Sequence, residues 1–330
     1  MRKIVVAVVV ALALAAGGVY WWSGRPLHLS HPVVDLQVHT GDGPDEISRA
    51  AVAGGVQVSP EVLKWWLRLG SRTTGFKAGP YEVRRGDSLR SLLRRLMRGE
   101  FAMRKVRLGE GWNFRQVRAA LAAADALRHD TAAMSDADLM KALDRPDVRP
   151  EGMFFPDTYK YAPNTSDLQI LQQSYQTMQR KLESAWSGRA DGLPLQTPYD
   201  LLKLASIIEK ETGYESDRPI VSAVMINRLR INMRLQTDPT VIYGLGKAYD
   251  GSLSRADLMR DTPFNTYTRQ GLPPTPIAMP SEAALAAAAS PGDSKALYFV
   301  ARNDGTGASE FSETLEAHNR AVQRFILKKP

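Results

Sequence analysis

Cysteine is absent from the 330 residues of this chain. That excludes a disulfide framework, a thiolate nucleophile and any zinc site with Cys ligands. Histidine is scarce, five in all, and His28, His31 and His39 sit close behind the N-terminal segment. A His-rich metal centre is not expected. No nucleotide or metal motif occurs, so no cofactor is predicted. Acidic residues are in deficit: 35 Asp and Glu against 43 Lys and Arg leave a formal charge of +8. A basic surface suits nucleic acid, anionic lipid or an acidic wall polymer, and composition does not choose among them. Hydrophobic residues at 44% and charged residues at 24% exclude wholesale disorder and a polytopic membrane protein. At ~150 residues per domain, the length favours about two domains.

A long hydrophobic run occurs once. Arg2 and Lys3 precede an uncharged stretch from Ile4 to Trp22. Its roughly 19 residues, at ~1.5 Å each, suffice to cross a hydrocarbon core of ~30 Å. Tyr20, Trp21 and Trp22 close it where an aromatic belt would meet the headgroups. The rival reading is a cleaved signal peptide, with Ala13-Leu14-Ala15 resembling a cleavage site. The length and the aromatic stop favour an uncleaved anchor with a cytoplasmic N-terminus, although Arg25 weakens the charge asymmetry. Either reading exports the rest of the chain, which makes nucleic acid a poor partner and envelope polymers good ones.

Behind the anchor, residues 25–32 read as a linker. Val33–Val38 alternates like a strand, and helices follow over Ile47–Val56 and Pro60–Leu69. A short extended segment at Gly79–Val83 leads through a Gly86-Asp87-Ser88 turn into a helix with Leu89, Leu92, Leu93 and Leu96 at helical spacing. Arg90, Arg94, Arg95 and Arg98 fall off its apolar stripe and read as a solvated face or as a contact for anionic lipid or polymer. Arg104–Leu108 reads as a strand, and Asn113–Ala124, Ser135–Leu143 and Leu168–Trp186 as helices. The break at Arg145–Pro150 is the expected domain boundary.

The helix opened by Thr197-Pro198 carries the chemistry. Over Tyr199–Thr212, Leu201, Ala205, Ile208 and Thr212 centre one face, with Lys203 and Lys210 opposite. Glu209 lies on one edge of the apolar face and Glu211 on the other. Half-burial against apolar walls disfavours the ionised form, which is what a general acid requires. Edge glutamates also commonly pair with Lys or Arg, and periodicity does not choose between Glu209 and Glu211.

Several stretches, in one order, resemble the endolytic murein transglycosylases, the YceG-like family. They include Glu151-Gly152-Met153-Phe154-Phe155-Pro156-Asp157-Thr158-Tyr159, Ala205-Ser206-Ile207-Ile208-Glu209-Lys210-Glu211-Thr212, Asn227-Arg228-Leu229 and Leu235-Gln236-Thr237-Asp238-Pro239-Thr240. Asn265-Thr266-Tyr267, Gly271-Leu272-Pro273-Pro274-Thr275-Pro276-Ile277, Leu297-Tyr298-Phe299-Val300, Phe311-Ser312 and His318-Asn319-Arg320 complete the set. Tyr81-Glu82-Val83 with Gly86-Asp87-Ser88-Leu89 resembles a LysM motif more loosely.

The resemblance implies an α+β protein: a transmembrane helix (residues 1–24), the linker (25–32), a LysM-like and helical subdomain (33–148) and a catalytic domain (149–330) with its catalytic Glu on a helix. It implies cleavage of the bond between N-acetylmuramic acid and N-acetylglucosamine without water, leaving a 1,6-anhydromuramyl end. The catalytic acid is carried to Glu209 and not to Glu211. Gln236, Asp238, Asn265, Tyr267, Arg228 and Glu211 are expected to bind substrate. The attacking oxygen is the sugar's own 6-hydroxyl, so one protein carboxyl suffices where a hydrolase usually needs two. The implied setting is the inner membrane, single-pass, with the catalytic domain in the periplasm acting on nascent peptidoglycan beside penicillin-binding synthases. The alternatives are a muramidase-type hydrolase and a non-catalytic wall-binding scaffold of the divisome. The chain departs from the family pattern at Asp217, where a Glu is usual, and near Ser309, where a His is common.

Overall fold

A computed structural model describes residues 2–70 and 75–327. The outermost residues of the expected anchor and catalytic domain, Met1 and 328–330, lie outside the described residues. The protein is a mixed α+β chain that divides into two compact units. One comprises residues 1–104 with 160–165, the other 105–159 with 166–330.

The first unit begins with α1 (Arg2–Ser23), an apolar helix long enough to cross a membrane, whose core-length window is exposed throughout. It continues through β1 (His28–Leu29), β2 (Val33–Val38), α2 (Pro44–Ala53), β3 (Val56–Gln57), α3 (Pro60–Gly70), β4 (Gly79–Arg84) and α4 (Leu89–Arg98). The alternation in β2 is the expected one: Val34, Leu36 and Val38 are buried, and Val33, Asp35 and Gln37 are exposed. β4 pairs with β2 antiparallel, Val83 opposite Val34 and Tyr81 opposite Leu36. The Tyr81–Val83 strand therefore pairs with a strand that precedes it, with two helices between. Ile47, Leu63, Leu67, Leu92 and Leu96 close the core over this ribbon. Ser88 caps α4, and Gly99 ends it in the left-handed conformation. Of the four arginines expected on its solvated face, Arg95 is committed: it holds Asp87 through two 2.7 Å bonds and the Glu82 carbonyl at 2.8 Å.

The short strands β5 (Arg104–Arg107) and β6 (Thr158–Tyr161) lie where the chain passes between units. The second unit holds α5 (Phe114–Ala122), α6 (Asp136–Ala142), α7 (Asp167–Ser187), α8 (Pro198–Glu211), α9 (Arg218–Arg230), α10 (Asp238–Leu245), α11 (Arg255–Met259), α12 (Glu282–Ala289), β7 (Tyr298–Ala301), β8 (Ser309–Ser312) and α13 (Leu315–Phe325). Residues 105–148 thus group with residues 166–330, whereas a break near 148 assigns them to the first unit. Their apolar side chains account for this: Phe114 stacks on Phe154 with centroids 5.1 Å apart, and Phe154 meets Tyr175 of α7 edge-on.

At the centre of the second unit lies α8. Thr197 caps it and Pro198 occupies its first position. Leu201, Leu202 and all residues from Leu204 to Ile208 are buried, so apolar contact extends beyond a single stripe. α12, α7, α9 and α10 surround the helix. α12 approaches through an alanine-rich face, where small side chains permit close packing. Ser206 fixes the irregular segment opposite by accepting the Ile277 N–H at 3.0 Å. Packing of the buried residues up to Ile208 holds the last turn of α8 in place, and that turn carries Glu209, Lys210 and Glu211.

Candidate active site

Glu209 and Glu211 leave α8 in different directions and meet different surroundings. Glu209 accepts hydrogen bonds from the Ser281 backbone N–H at 3.0 Å and from its hydroxyl at 2.5 Å. Ser281 in turn caps α12, accepting from the Ala284 N–H at 3.2 Å. Glu209 therefore braces the start of α12. Glu211 lines a cavity of about 340 Å³ shared with Arg228, Gln236, Asp238, Tyr267 and His318. Its carboxyl has no hydrogen-bond partner among the described residues. Burial, then the negative charge of Asp238, pushes its pKa up to about 7, with Arg228 opposing. The structure thus brings Glu211, and not Glu209, together with four of the residues expected to bind substrate.

Two loops build the cavity wall, and a hydroxyl network joins them. Gln236 donates its backbone N–H to the Thr266 carbonyl at 3.1 Å. The Thr266 hydroxyl accepts the Thr237 N–H at 3.0 Å and lies 2.9 Å from the buried Thr240 hydroxyl. This network holds Gln236 and Asp238 exposed at the cavity mouth. Gln236 sits at φ +51°, in the left-handed region that costs a non-glycine residue about 1 kcal/mol or more. Across the mouth, Tyr267 donates its hydroxyl to Asp238 at 2.5 Å. Burial and the Asp238 charge hold the Tyr267 phenol above its ordinary value, so it stays a donor.

Arg228 and Asn265 serve the frame rather than the ligand. Arg228 is 8% exposed and donates to the carbonyls of Leu297 (2.6 Å), Leu235 (2.8 Å) and Arg234 (3.2 Å). It fastens the Gln236 loop to the approach of β7. Asn265 is wholly buried. Its amide NH₂ donates to the carbonyls of Leu258 and Arg260, and its oxygen accepts the Tyr267 N–H at 2.8 Å. Substrate contact is the expectation for both side chains, a sugar for Asn265 and a lactyl or peptide carboxylate for Arg228. Arg228 Nε and Nη1 and the Asn265 amide donate to main chain because the loops, irregular as they are, leave carbonyls that need partners.

Two groups at the site carried no role in the sequence. His318 stacks on Tyr298, centroids 5.3 Å apart, and its buried Nδ1 has no partner among the described residues. Burial, then the charge of Arg228, lowers its pKa. Glu151 lines a larger neighbouring cavity of about 930 Å³. It accepts from the Phe114 N–H and from the Tyr243 hydroxyl at 3.0 Å, and burial pushes its pKa up to about 7. The only signal for either in the sequence was membership in a recognised stretch. Asp217 and Ser309, the two departures from the family pattern, meet directly: the Asp217 carboxylate accepts the Ser309 N–H at 2.6 Å.

The YceG-like family model matches residues 36–324. An endolytic murein transglycosylase of Bacillus subtilis is 30% identical over 320 residues, covering 91% of this chain and 87% of the relative. One from Streptococcus pneumoniae is 26% identical over 370 residues, covering all of this chain and 66% of its own. The crystal structure of a YceG-like protein from Listeria monocytogenes superposes with a TM-score of 0.55 at 27% identity, covering 88% of this chain and 99% of that one. With the match running through both units and every stretch that builds the Glu211 cavity, the chain belongs to the YceG-like family.

Proposed function

We propose that this protein is an endolytic lytic transglycosylase of peptidoglycan and that Glu211 is its catalytic acid. One observation carries the assignment: of the two carboxyl groups in the cavity, Glu211 is the one whose pKa burial and Asp238 push up to about 7. The motif resemblance favours Glu209, but that carboxylate is occupied by Ser281.

In the proposed cycle the Glu211 carboxylic acid donates its proton to the glycosidic oxygen as the C1–O bond of the muramyl residue breaks. The resulting carboxylate then takes the proton of the muramyl 6-hydroxyl as that oxygen bonds to C1. The acid is regenerated and the product end is a 1,6-anhydro sugar. The Asp238 carboxylate offers negative charge to the oxocarbenium-like centre, and Tyr267 fixes its orientation. Attack within one sugar ring gains a large effective molarity.

Asp238 also favours one competing reading. Two carboxyl groups in one cavity suit a hydrolase, in which the second activates water. Digestion of uncrosslinked glycan followed by mass spectrometry separates the outcomes. The transglycosylase product is lighter than the hydrolytic product by one water.

The apolar α1 supports anchoring in the inner membrane, with Arg2 and Lys3 in the cytoplasm and both folded units in the periplasm. The proposed part of the first unit is LysM-like contact with the wall. The proposed setting is strand termination beside penicillin-binding synthases.

A further inference from the structure

We propose that the 930 Å³ cavity beside the last turn of α8 binds the anionic stem peptide of the muramyl residue, through Arg115 and Lys210. The inference rests on the peptidoglycan reading above and names the part of the substrate that this region recognises.

The cavity lies in the second unit, with Arg115 and Gln116 of α5 on one side and Lys210 and Tyr243 on the other. Its volume falls in the range of ligand sites, about 300–1,000 Å³, and exceeds the Glu211 cavity. Lys210 and Glu211 are consecutive on α8, and Pro239 lines this cavity while Asp238 lines the Glu211 cavity, so the same two elements contribute to both.

Charge decides what the cavity would hold. Three other cations of this unit are paired: Arg118 with Asp136 at 3.1 Å, Lys203 with Asp200 at 2.7 Å and Lys181 with Glu282 at 2.7 Å. Arg115 and Lys210 are exposed and have no partner among the described residues, and both face this one cavity. Its acidic groups do not offset them. Asp136 is paired with Arg118, and Glu151 is buried and hydrogen-bonded to Phe114 and Tyr243. Two unpaired cations over amide and phenol groups suit a ligand with several carboxylates along an amide backbone, which a stem peptide is, whereas a stripped glycan offers only one lactyl carboxylate per muramyl residue.

Lys210 is also positioned. Its aliphatic stem crosses Gly111, where a Cβ would lie 3.5 Å from Lys210 Cδ. Gly111 has φ +69° and donates its N–H to the Met279 carbonyl at 2.9 Å, while the Met279 N–H bonds to Trp112 at 2.7 Å. The turn is thereby fixed against the segment leading to Ser281. Arg228, also expected to bind substrate, is 8% exposed and bonded to three carbonyls, whereas Arg115 and Lys210 are exposed.

The test uses the full chain in detergent with two substrates: uncrosslinked glycan bearing stem peptides, and the same glycan stripped of them by an amidase. The readout is the ratio of kcat/KM on the two. Wild type is expected to favour the peptide-bearing strand. The Arg115→Gln/Lys210→Gln double variant is expected to lose that preference about tenfold, chiefly through KM, as befits lost charge-assisted hydrogen bonds. A ratio unchanged by the double variant overturns the proposal, as does a wild type indifferent to the peptides. Calorimetric binding of a soluble peptide-bearing muropeptide to Glu211→Gln protein supplies a second arm. Binding there that weakens on adding Arg115→Gln supports the subsite even where neither strand is cut, a result that would sink the transglycosylase reading alone. Equal binding with and without Arg115→Gln overturns the subsite.

Discussion

Tyr267 donates its hydroxyl to Asp238 at 2.5 Å in the cavity that Glu211 lines. The bond fixes a negative charge beside a buried acid. That charge, after burial itself, raises the Glu211 pKa to about 7. Replacing Asp238 by Asn removes it, so the Glu211 acid ionises at lower pH. The alkaline limb of the pH–rate profile, expected near pH 7 in the wild type, should move downward in Asp238→Asn. A limb that stays in place or moves upward would separate Asp238 from the acid's environment.

Glu211 also makes stability depend on pH. Its folded-state pKa is about 7 and its ordinary value 4.5. Between those values the folded chain holds a proton that the unfolded chain has released, so stability falls as pH rises through the window. Glu211→Gln carries no such loss. At pH 8 the variant should exceed the wild type by about 1–3 kcal/mol, with the gain vanishing near pH 4. Urea unfolding at both pH values measures it.

Asn265 is predicted to matter for folding. Asn265→Ala leaves the Leu258 and Arg260 carbonyls and the Tyr267 N–H without their partner. The expected cost is about 2–4 kcal/mol. Thermal unfolding checks it, and a Tm within about 1 °C of wild type would contradict the framework role.

At Gln236 the expectation reverses. Gln236→Gly relieves the positive φ and should add a few tenths of a kcal/mol to about 1 kcal/mol of stability while reducing activity, because the side chain faces the cavity mouth. A variant both less stable and fully active would remove Gln236 from the site.

Much of this was legible in the sequence, for definite reasons. Thr197-Pro198 announces α8, and Ser88 and Gly99 bracket α4, because capping chemistry is local. The alternation in β2 fixes which side chains enter the core. The last turn of α8 was legible only in part. Periodicity places Glu209 and Glu211 on opposite edges of one face and is silent on what those edges meet, Ser281 on one side and Asp238 on the other. Those partners lie 72 and 27 positions away, and only the packing of α12 and α10 on α8 brings them there. Arg228 and Asn265 show the same limit. A polar residue in a recognised stretch can face the ligand or hold a loop, and the choice depends on carbonyls that tertiary structure leaves unpaired.

The account stands on which carboxyl passes the proton. The most direct measurement compares wild type, Glu209→Gln and Glu211→Gln on purified uncrosslinked glycan, reading anhydromuramyl ends by mass spectrometry, with folding verified for each. Glu211→Gln is expected to lose 10²–10⁴-fold in rate, as removal of a general acid does, while Glu209→Gln keeps activity within about tenfold of wild type. Anhydro product formed at the wild-type rate by Glu211→Gln, with Glu209→Gln inactive, would return the catalytic role to Glu209 and contradict the account.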